Sequence, residues 1–216
     1  FVVSSQEEFR EENLISLKAH LEFPVPFYEE LKMGVPSLME VIDFLEEGEF
    51  TGVHISTPGP LGIMAFIAGK ILGLRTTIAF HTDIPTYARV YTGDADLENI
   101  LWNTFVILAN NSDRCFVPSE HYKRILISKG ANPSKLSIFK RGIDTELFSP
   151  YRRQEDFWSQ KLGKKVKRVI LYVGRVAKEK NLDAFFYVAR CLPEETFVMV
   201  GDGPYRRELE EKKPKN

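Results

Sequence analysis

Cysteine is scarce in this chain. Cys115 and Cys191 are the only two in 216 residues, too few for a disulfide framework or a metal cluster. Each stands in an apolar run and reads as a small core residue rather than a nucleophile, which agrees with a reducing compartment. Excess charge is missing too. The 29 Lys and Arg nearly balance the 30 Asp and Glu, leaving −1, so there is no chain-wide basic footprint for nucleic acid. No apolar run has the length of a bilayer span. The richest, Leu61 to Leu74, is interrupted by Lys70 and suits a buried helix. His20, His54, His81 and His121 show no metal-ligand spacing, so no metal site is expected. No Gly-Lys-Ser/Thr loop occurs, which disfavours a P-loop nucleotide hydrolase. Gly201-Asp202-Gly203-Pro204-Tyr205 follows a strand and opens a helix, but Arg206 stands where a dinucleotide fingerprint needs a small residue. A nicotinamide dehydrogenase is therefore disfavoured.

What is present is the composition of a globular protein, 44% hydrophobic and 27% charged, with enough residues for one large domain or two small ones. The opening Phe1-Val2-Val3-Ser4-Ser5 reads as the tail of a strand already under way. The closing Lys212 to Asn216 follows a helix with no further strand. A piece of a longer protein is expected. Glu7, Glu8, Glu11 and Glu12 read as a solvated acidic segment, and Leu21 to Phe27 as extended chain, because each Pro biases its predecessor away from helix.

From residue 36 the chain alternates. Pro36 to Glu47 predicts an amphipathic helix with Pro36 at its first position and Leu38, Val41, Ile42 and Leu45 on one face. Strands are expected at Val53–Thr57, Arg75–His81, Arg114–Val117 and Leu136–Phe139. Helices are expected at Leu61–Ile71, stopped by Gly73, at Pro85–Tyr91, at Leu97–Asn110 and at Glu120–Lys129, capped by Ser119. Such alternation implies an α/β fold with a parallel sheet, whose ligands bind beyond the C-terminal strand ends. Thr57 and His81 stand at such ends, and His54 lies within a strand.

Residues 151–168 change character. Arg152, Arg153, Lys161, Lys164, Lys165, Lys167 and Arg168 crowd around Phe157 and Trp158. A basic linker, an interdomain helix and an anionic-membrane patch all fit this run, with a plain solvated helix as the simplest reading. The domain boundary is expected near residue 150, giving domains 1–150 and 151–216.

The second domain opens on Val169 to Val173, a β-branched and aromatic run that reads as a buried parallel strand. Gly174-Arg175-Val176-Ala177-Lys178-Glu179-Lys180-Asn181 follows, and a helix begins at Leu182. Strand, glycine, cations and helix start together make a place for phosphate. Gly174 lets backbone approach closely. The helix end offers unpaired N–H groups and partial positive charge. Arg175 supplies a bidentate fork and Lys180 a point charge. The bland alternative is an ordinary strand–helix turn with solvated cations.

Four landmarks then appear in order: Phe80-His81-Thr82; Val117-Pro118-Ser119; Arg141-Gly142-Ile143-Asp144 through Phe148; and Val173-Gly174-Arg175 through Lys180-Asn181, closed by Val200-Gly201-Asp202-Gly203-Pro204. In this order and spacing the chain, over roughly residues 35–211, resembles glycosyltransferase family 4, the retaining enzymes of GT-B architecture. The resemblance implies two Rossmann-like domains with parallel sheets, both incomplete here. The first would face the acceptor and the second would hold a nucleotide-diphosphate sugar. It also implies roles by position. Gly174, Arg175 and Lys180 would bind the donor diphosphate, with Arg175 and Lys180 stabilising the leaving group. His81 would act on the donor sugar as a third catalytic residue, and Gly201 and Gly203 would lie near the nucleotide. A departing nucleoside diphosphate develops negative charge, and fixed cations with a helix end oppose it.

Neither a metal nor another cofactor is implied beyond a GDP- or UDP-sugar donor. Hexosyl transfer of mannosyl or glucosyl type to a lipid or saccharide acceptor is the expected reaction, in glycolipid, lipopolysaccharide or polysaccharide synthesis. The expected place is the cytoplasm, with a peripheral position at the inner face of the membrane left open. Two elements of the family pattern are not found: a Gly-rich loop after a first N-terminal strand, and a C-terminal carboxylate pair. A non-catalytic nucleotide- or glycan-binding domain is therefore the rival reading. A sugar-nucleotide epimerase of the same architecture is disfavoured by the Arg175-to-Lys180 spacing.

Overall fold

The computed structural model describes the backbone of residues 1–6, 12–25 and 28–216, and their side chains apart from those of 28–31. Glu7, Glu8 and Glu11 of the acidic run, and Pro26 and Phe27, lie outside the described residues. The chain forms two compact units, Phe1–Arg141 and Gly142–Asn216.

The first unit opens with a parallel pair, β1 (Val2–Ser5) and β2 (Ile15–Lys18). An antiparallel hairpin follows, β3 (Leu21–Val25) with β4 (Tyr28–Val35). The hairpin adds antiparallel pairing to the parallel sheets expected from the alternation. Helix α1 (Leu38–Glu47) starts two residues later than expected: Ser37 is its N-cap and Pro36 precedes the helix. Val41 and Leu45 of α1 are buried with Ala68 of α2 (Pro60–Ile71), and Pro60 takes the first-turn position where its missing N–H costs nothing. Burial of α2 is narrower than its composition implies. Ala68 and Gly69 are buried, whereas Ile67 and Ile71 face outward. A Cβ at Gly69 would touch Thr76 and Val53, so α2 rides directly on the sheet there, while Leu61, Met64, Ala65 and Phe66 are partly buried against the cores.

That sheet is four-stranded and parallel, in the order β5 (Gly52–Ile55), β6 (Arg75–Ala79), β7 (Arg114–Val117), β8 (Leu136–Ile138). The register aligns Ile55 with Ile78, Ile78 with Cys115, and Cys115 with Leu136. Because side chains alternate along a strand, this row lies on one face. It is covered by Trp102, Phe105 and Val106 of α4 (Ala95–Asn111) and Leu126 of α5 (Glu120–Ser128). Cys115 is wholly buried, and burial pushes its thiol up to about 12, so it is a core residue and no nucleophile. Ser119 caps α5 by accepting from the Tyr122 N–H at 3.3 Å. The opposite face carries His54 and Phe116, their rings 6.0 Å apart. The exposed His54 pairs through Nδ1 with Thr77 Oγ1 at 2.8 Å.

In the second unit the short exposed helix α6 (Phe157–Leu162) precedes a parallel pair, β9 (Val169–Val173) and β10 (Thr196–Val200), aligned from Val169–Thr196 to Val173–Val200. Helices α7 (Leu182–Cys191) and α8 (Arg206–Lys212) supply Leu182, Phe186 and Leu209 to a core completed by Val176 and Tyr205. Cys191 sits exposed at the last turn of α7, contrary to its apolar sequence context, because Phe186 and Ala189 take the inward positions.

Ile78, at 0% exposure in the middle strand, tests the first core. Ile78→Ala should cost about 2–5 kcal/mol, cavity included, read as an earlier midpoint for the first unit's transition in urea.

Candidate functional site

Gly174 to Asn181 runs from the end of β9 to the start of α7. The Gly174 N–H donates to Val200 C=O at 3.0 Å, extending the strand pairing by one residue. The Val176 N–H then donates to Asp202 C=O at 2.9 Å, and the Tyr205 N–H returns a bond to Val176 C=O at 3.0 Å. The loops after β9 and β10 are thereby laced together. Gly201 and Gly203 make this closeness available. Both have positive φ, +147° and +156°, and a Cβ would run into the Gly174 carbonyl oxygen at the first and the Val176 carbonyl oxygen at the second. Tyr172 OH donates to the Arg175 carbonyl at 2.7 Å and holds the loop from the strand side.

Val176 and Ala177 point into the core, leaving Arg175 exposed on one side of them. A 3₁₀ turn at Lys178–Lys180 follows, closed by Asn181 in the left-handed region at φ +50°. Lys180 is exposed on this turn, immediately before α7, and no side chain caps the α7 N-terminus. Gly174, Arg175 and Lys180 thus share one loop on the C-terminal side of β9. Gly201 and Gly203 share the loop laced to it.

A brace secures the same corner. Tyr205, 8% exposed, donates its hydroxyl to Asp183 Oδ2 at 2.8 Å and accepts from Lys212 Nζ at 2.8 Å. Lys212 Nζ also reaches Asp183 Oδ1 at 2.8 Å and Glu208 Oε1 at 3.0 Å. The Lys212 hydrogen bond, then that of Tyr205, holds the Asp183 carboxyl below the usual carboxylate range. Asp183 stands in the first turn of α7, so α7 and α8 are tied together beside the cationic loop. Sequence reading missed this brace. The Glu208/Lys212 spacing of four was its one visible signal; the partner Asp183 lies far off in sequence.

A hollow of about 320 Å³ in the second unit has Val176 and Gly201 of the laced loops in its wall. Phe185, Phe186, Phe197, Met199 and Leu209 line it, and neither Arg175 nor Lys180 does. Arg206, Glu210 and Lys213 also line it, so its wall is mixed rather than apolar.

In the first unit His81 follows β6, at the C-terminal end of the sheet. Phe80 anchors this turn, stacked on Trp102 at 5.6 Å and edge-on to Phe105 at 4.9 Å. Asp83 caps α3 (Ile84–Thr92), accepting from the Thr86 N–H at 3.1 Å. His81 itself is exposed beside a cleft of about 60 Å³ that Ser56, Thr57, Pro85, Leu101 and Phe105 also line. Partial desolvation, then the charges of Arg141 and His54, depresses its pKa below the ordinary histidine value, so the ring is neutral near pH 7. Thr57, at a strand end in the sequence, lies on this same cleft. Among the described residues no group of His, Cys, Asp and Glu could hold a metal ion.

Comparison with known proteins gives the family and the fold. The sequence model of Glycosyltransferase Family 4 matches residues 1–147, and the chain belongs to that family. Among curated relatives, sulfoquinovosyl transferase SQD2 of Arabidopsis thaliana is 30% identical over 206 residues, 94% of this chain and 40% of the relative. A GDP-mannose-dependent alpha-mannosyltransferase of Mycobacterium tuberculosis is 30% identical over 187 residues, 85% of this chain and 47% of the relative. Among solved structures, Anabaena HepE in complex with UDP superposes with a TM-score of 0.66 at 18% identity, over 92% of this chain and 51% of that one. The fold is that of the GT-B glycosyltransferases. The chain spans about half the length, or less, of these relatives.

Two measurements probe the second unit. Gly201→Ala should destabilise it by about 1–3 kcal/mol through forced backbone separation, seen as a lower melting temperature. Asp183 has a depressed folded pKa, so its contribution is complete above the unfolded value of about 3.9 and fades as pH falls through the folded one. Asp183→Asn should therefore lower stability at neutral pH, and its difference from the parent should shrink in urea titrations carried below about pH 4.

Proposed function

We propose that the protein is a retaining glycosyltransferase that moves a hexosyl group from a nucleotide-diphosphate sugar to a lipid or saccharide acceptor. The loop after β9 carries the reading: Gly174, Arg175 and Lys180 stand on one stretch, fixed by backbone bonds to the Gly201–Gly203 loop and leading into an uncapped helix N-terminus. Such an arrangement suits two phosphates. Helix N–H groups and two cations supply opposite charge, on a backbone already fixed before charge develops on the leaving diphosphate. Neutral His81 belongs, in this reading, to the donor-sugar side, where an uncharged ring can hydrogen-bond to a hydroxyl. Front-face attack, with the leaving phosphate taking the acceptor proton, needs no protein nucleophile.

The donor class draws support from the names of relatives, one GDP-mannose-dependent and one transferring galactose from UDP-Gal to GlcNAc-diphosphoundecaprenol. Both GDP and UDP sugars fit, and mannosyl and glucosyl transfer are the sugars of first choice. The second of those relatives, from Escherichia coli and 25% identical over 186 residues, is the support for a lipid-linked acceptor. In this reading the protein works in the cytoplasm, peripheral at the inner face of the membrane.

The test is calorimetric titration of UDP and GDP into the parent and Lys180→Ala, paired with transfer assays. Loss of one charge-assisted contact should weaken diphosphate binding about ten- to a hundred-fold, with the melting temperature unchanged and transfer abolished. Unchanged binding and turnover would remove the reading. Nucleotide binding by the parent, without transfer to any lipid or saccharide acceptor, would favour the non-catalytic binding domain.

A further inference from the structure

Charge is distributed unevenly along this chain. Residues 151–168 hold seven cations against the two carboxylates Glu155 and Asp156, a local +5 in a protein whose total is −1. Every one of these cations is exposed. The segment is compact rather than a loose tail. Trp158 is half-buried and meets Phe157 edge-to-face at 5.0 Å. Gly163 ends α6 in the left-handed region at φ +63°, and the Val166 N–H then donates to Ser159 Oγ at 3.1 Å, bringing the Lys164–Lys167 stretch back against the helix. Arg152 Nε donates to the Glu146 carbonyl at 2.7 Å, closing the turn that runs from Glu146 to Arg152. Apolar groups interleave with the charge: Tyr151 is 98% exposed, Phe148 67%, Phe157 44% and Leu162 40%.

We propose that this face, Phe148 to Arg168, docks on a bilayer surface rich in anionic lipid. Cations round exposed aromatic and aliphatic groups match the two layers such a surface offers, phosphate above and hydrocarbon beneath. A duplex nucleic acid, whose bases are stacked inside, would use the charge and leave Phe148, Phe157 and Leu162 in water; a single strand, whose bases can stack on aromatic rings, is the competitor the test includes. No helix among the described residues is long and apolar enough to cross a membrane, and this contact needs none. The proposal does not depend on the transferase reading.

The test is co-sedimentation of the full chain with vesicles of phosphatidylcholine alone and with about one third phosphatidylglycerol, at low and at high salt. Binding should appear only with the anionic lipid and weaken with salt. The combined variant Lys161→Gln, Lys164→Gln, Lys165→Gln and Lys167→Gln should bind about a hundred-fold more weakly or worse, with its circular dichroism unchanged. Phe157→Ser should reduce what remains bound at high salt, where charge is screened. Three results would each overturn the proposal: equal binding to neutral vesicles, no binding to either kind, or a lysine variant that sediments like the parent. Preferred binding of a single-stranded oligonucleotide over anionic vesicles would overturn it too. Retained UDP or GDP binding alongside any of these would leave the transferase reading standing.

Discussion

Two loops held backbone to backbone decide the geometry of the second unit. The Gly174–Val176 and Asp202–Tyr205 stretches exchange hydrogen bonds beyond the ends of their strands, at a separation that leaves no room for Cβ atoms at Gly201 and Gly203. Everything chemical in this unit hangs from that contact. Val176 and Ala177 are driven into the core, and the residues on either side are presented outward. Arg175 and Lys180 owe their positions to this constraint. In a site built from long flexible side chains, a fixed backbone is what removes the entropy of arranging them.

The Asp183–Tyr205–Lys212 brace works on the same corner from the helix side. Alone, each exposed ion pair would contribute little. Joined through a buried tyrosine ring, they fix where α7 begins relative to α8, and with it the direction in which the helix end points. His81 is held differently. Its neighbour Phe80, packed among Trp102, Phe105 and Tyr122, is the anchor, and the imidazole stands on the rim of that aromatic cluster.

Much of this was legible in the residues. The alternation from Val53 to Ile138 announced the parallel sheet, since β-branched runs and helical spacing are local signals. Ser119 and Gly73 ended or began helices as their chemistry dictates. The motif landmarks carried the family, which the match over residues 1–147 establishes. The hairpin β3–β4 was read only as extended chain, because strand direction is a tertiary property and Pro24 obscured the pattern. Composition overstated the burial of α2 and of Cys191, whose outward faces depend on where neighbours sit. Gly201 and Gly203 looked like ligand-side residues. Their packing role against the carbonyls of Gly174 and Val176 could not be seen without coordinates.

Each unit carries its own apolar centre, one around Ile78 and Leu126 and the other around Leu182 and Tyr205. Cooperativity follows the cores, so one melting step is expected for each unit. A nucleotide held on the β9–α7 loop would raise the temperature of one step and leave the other where it was. The melting curve itself therefore reports which half of the chain a ligand has found.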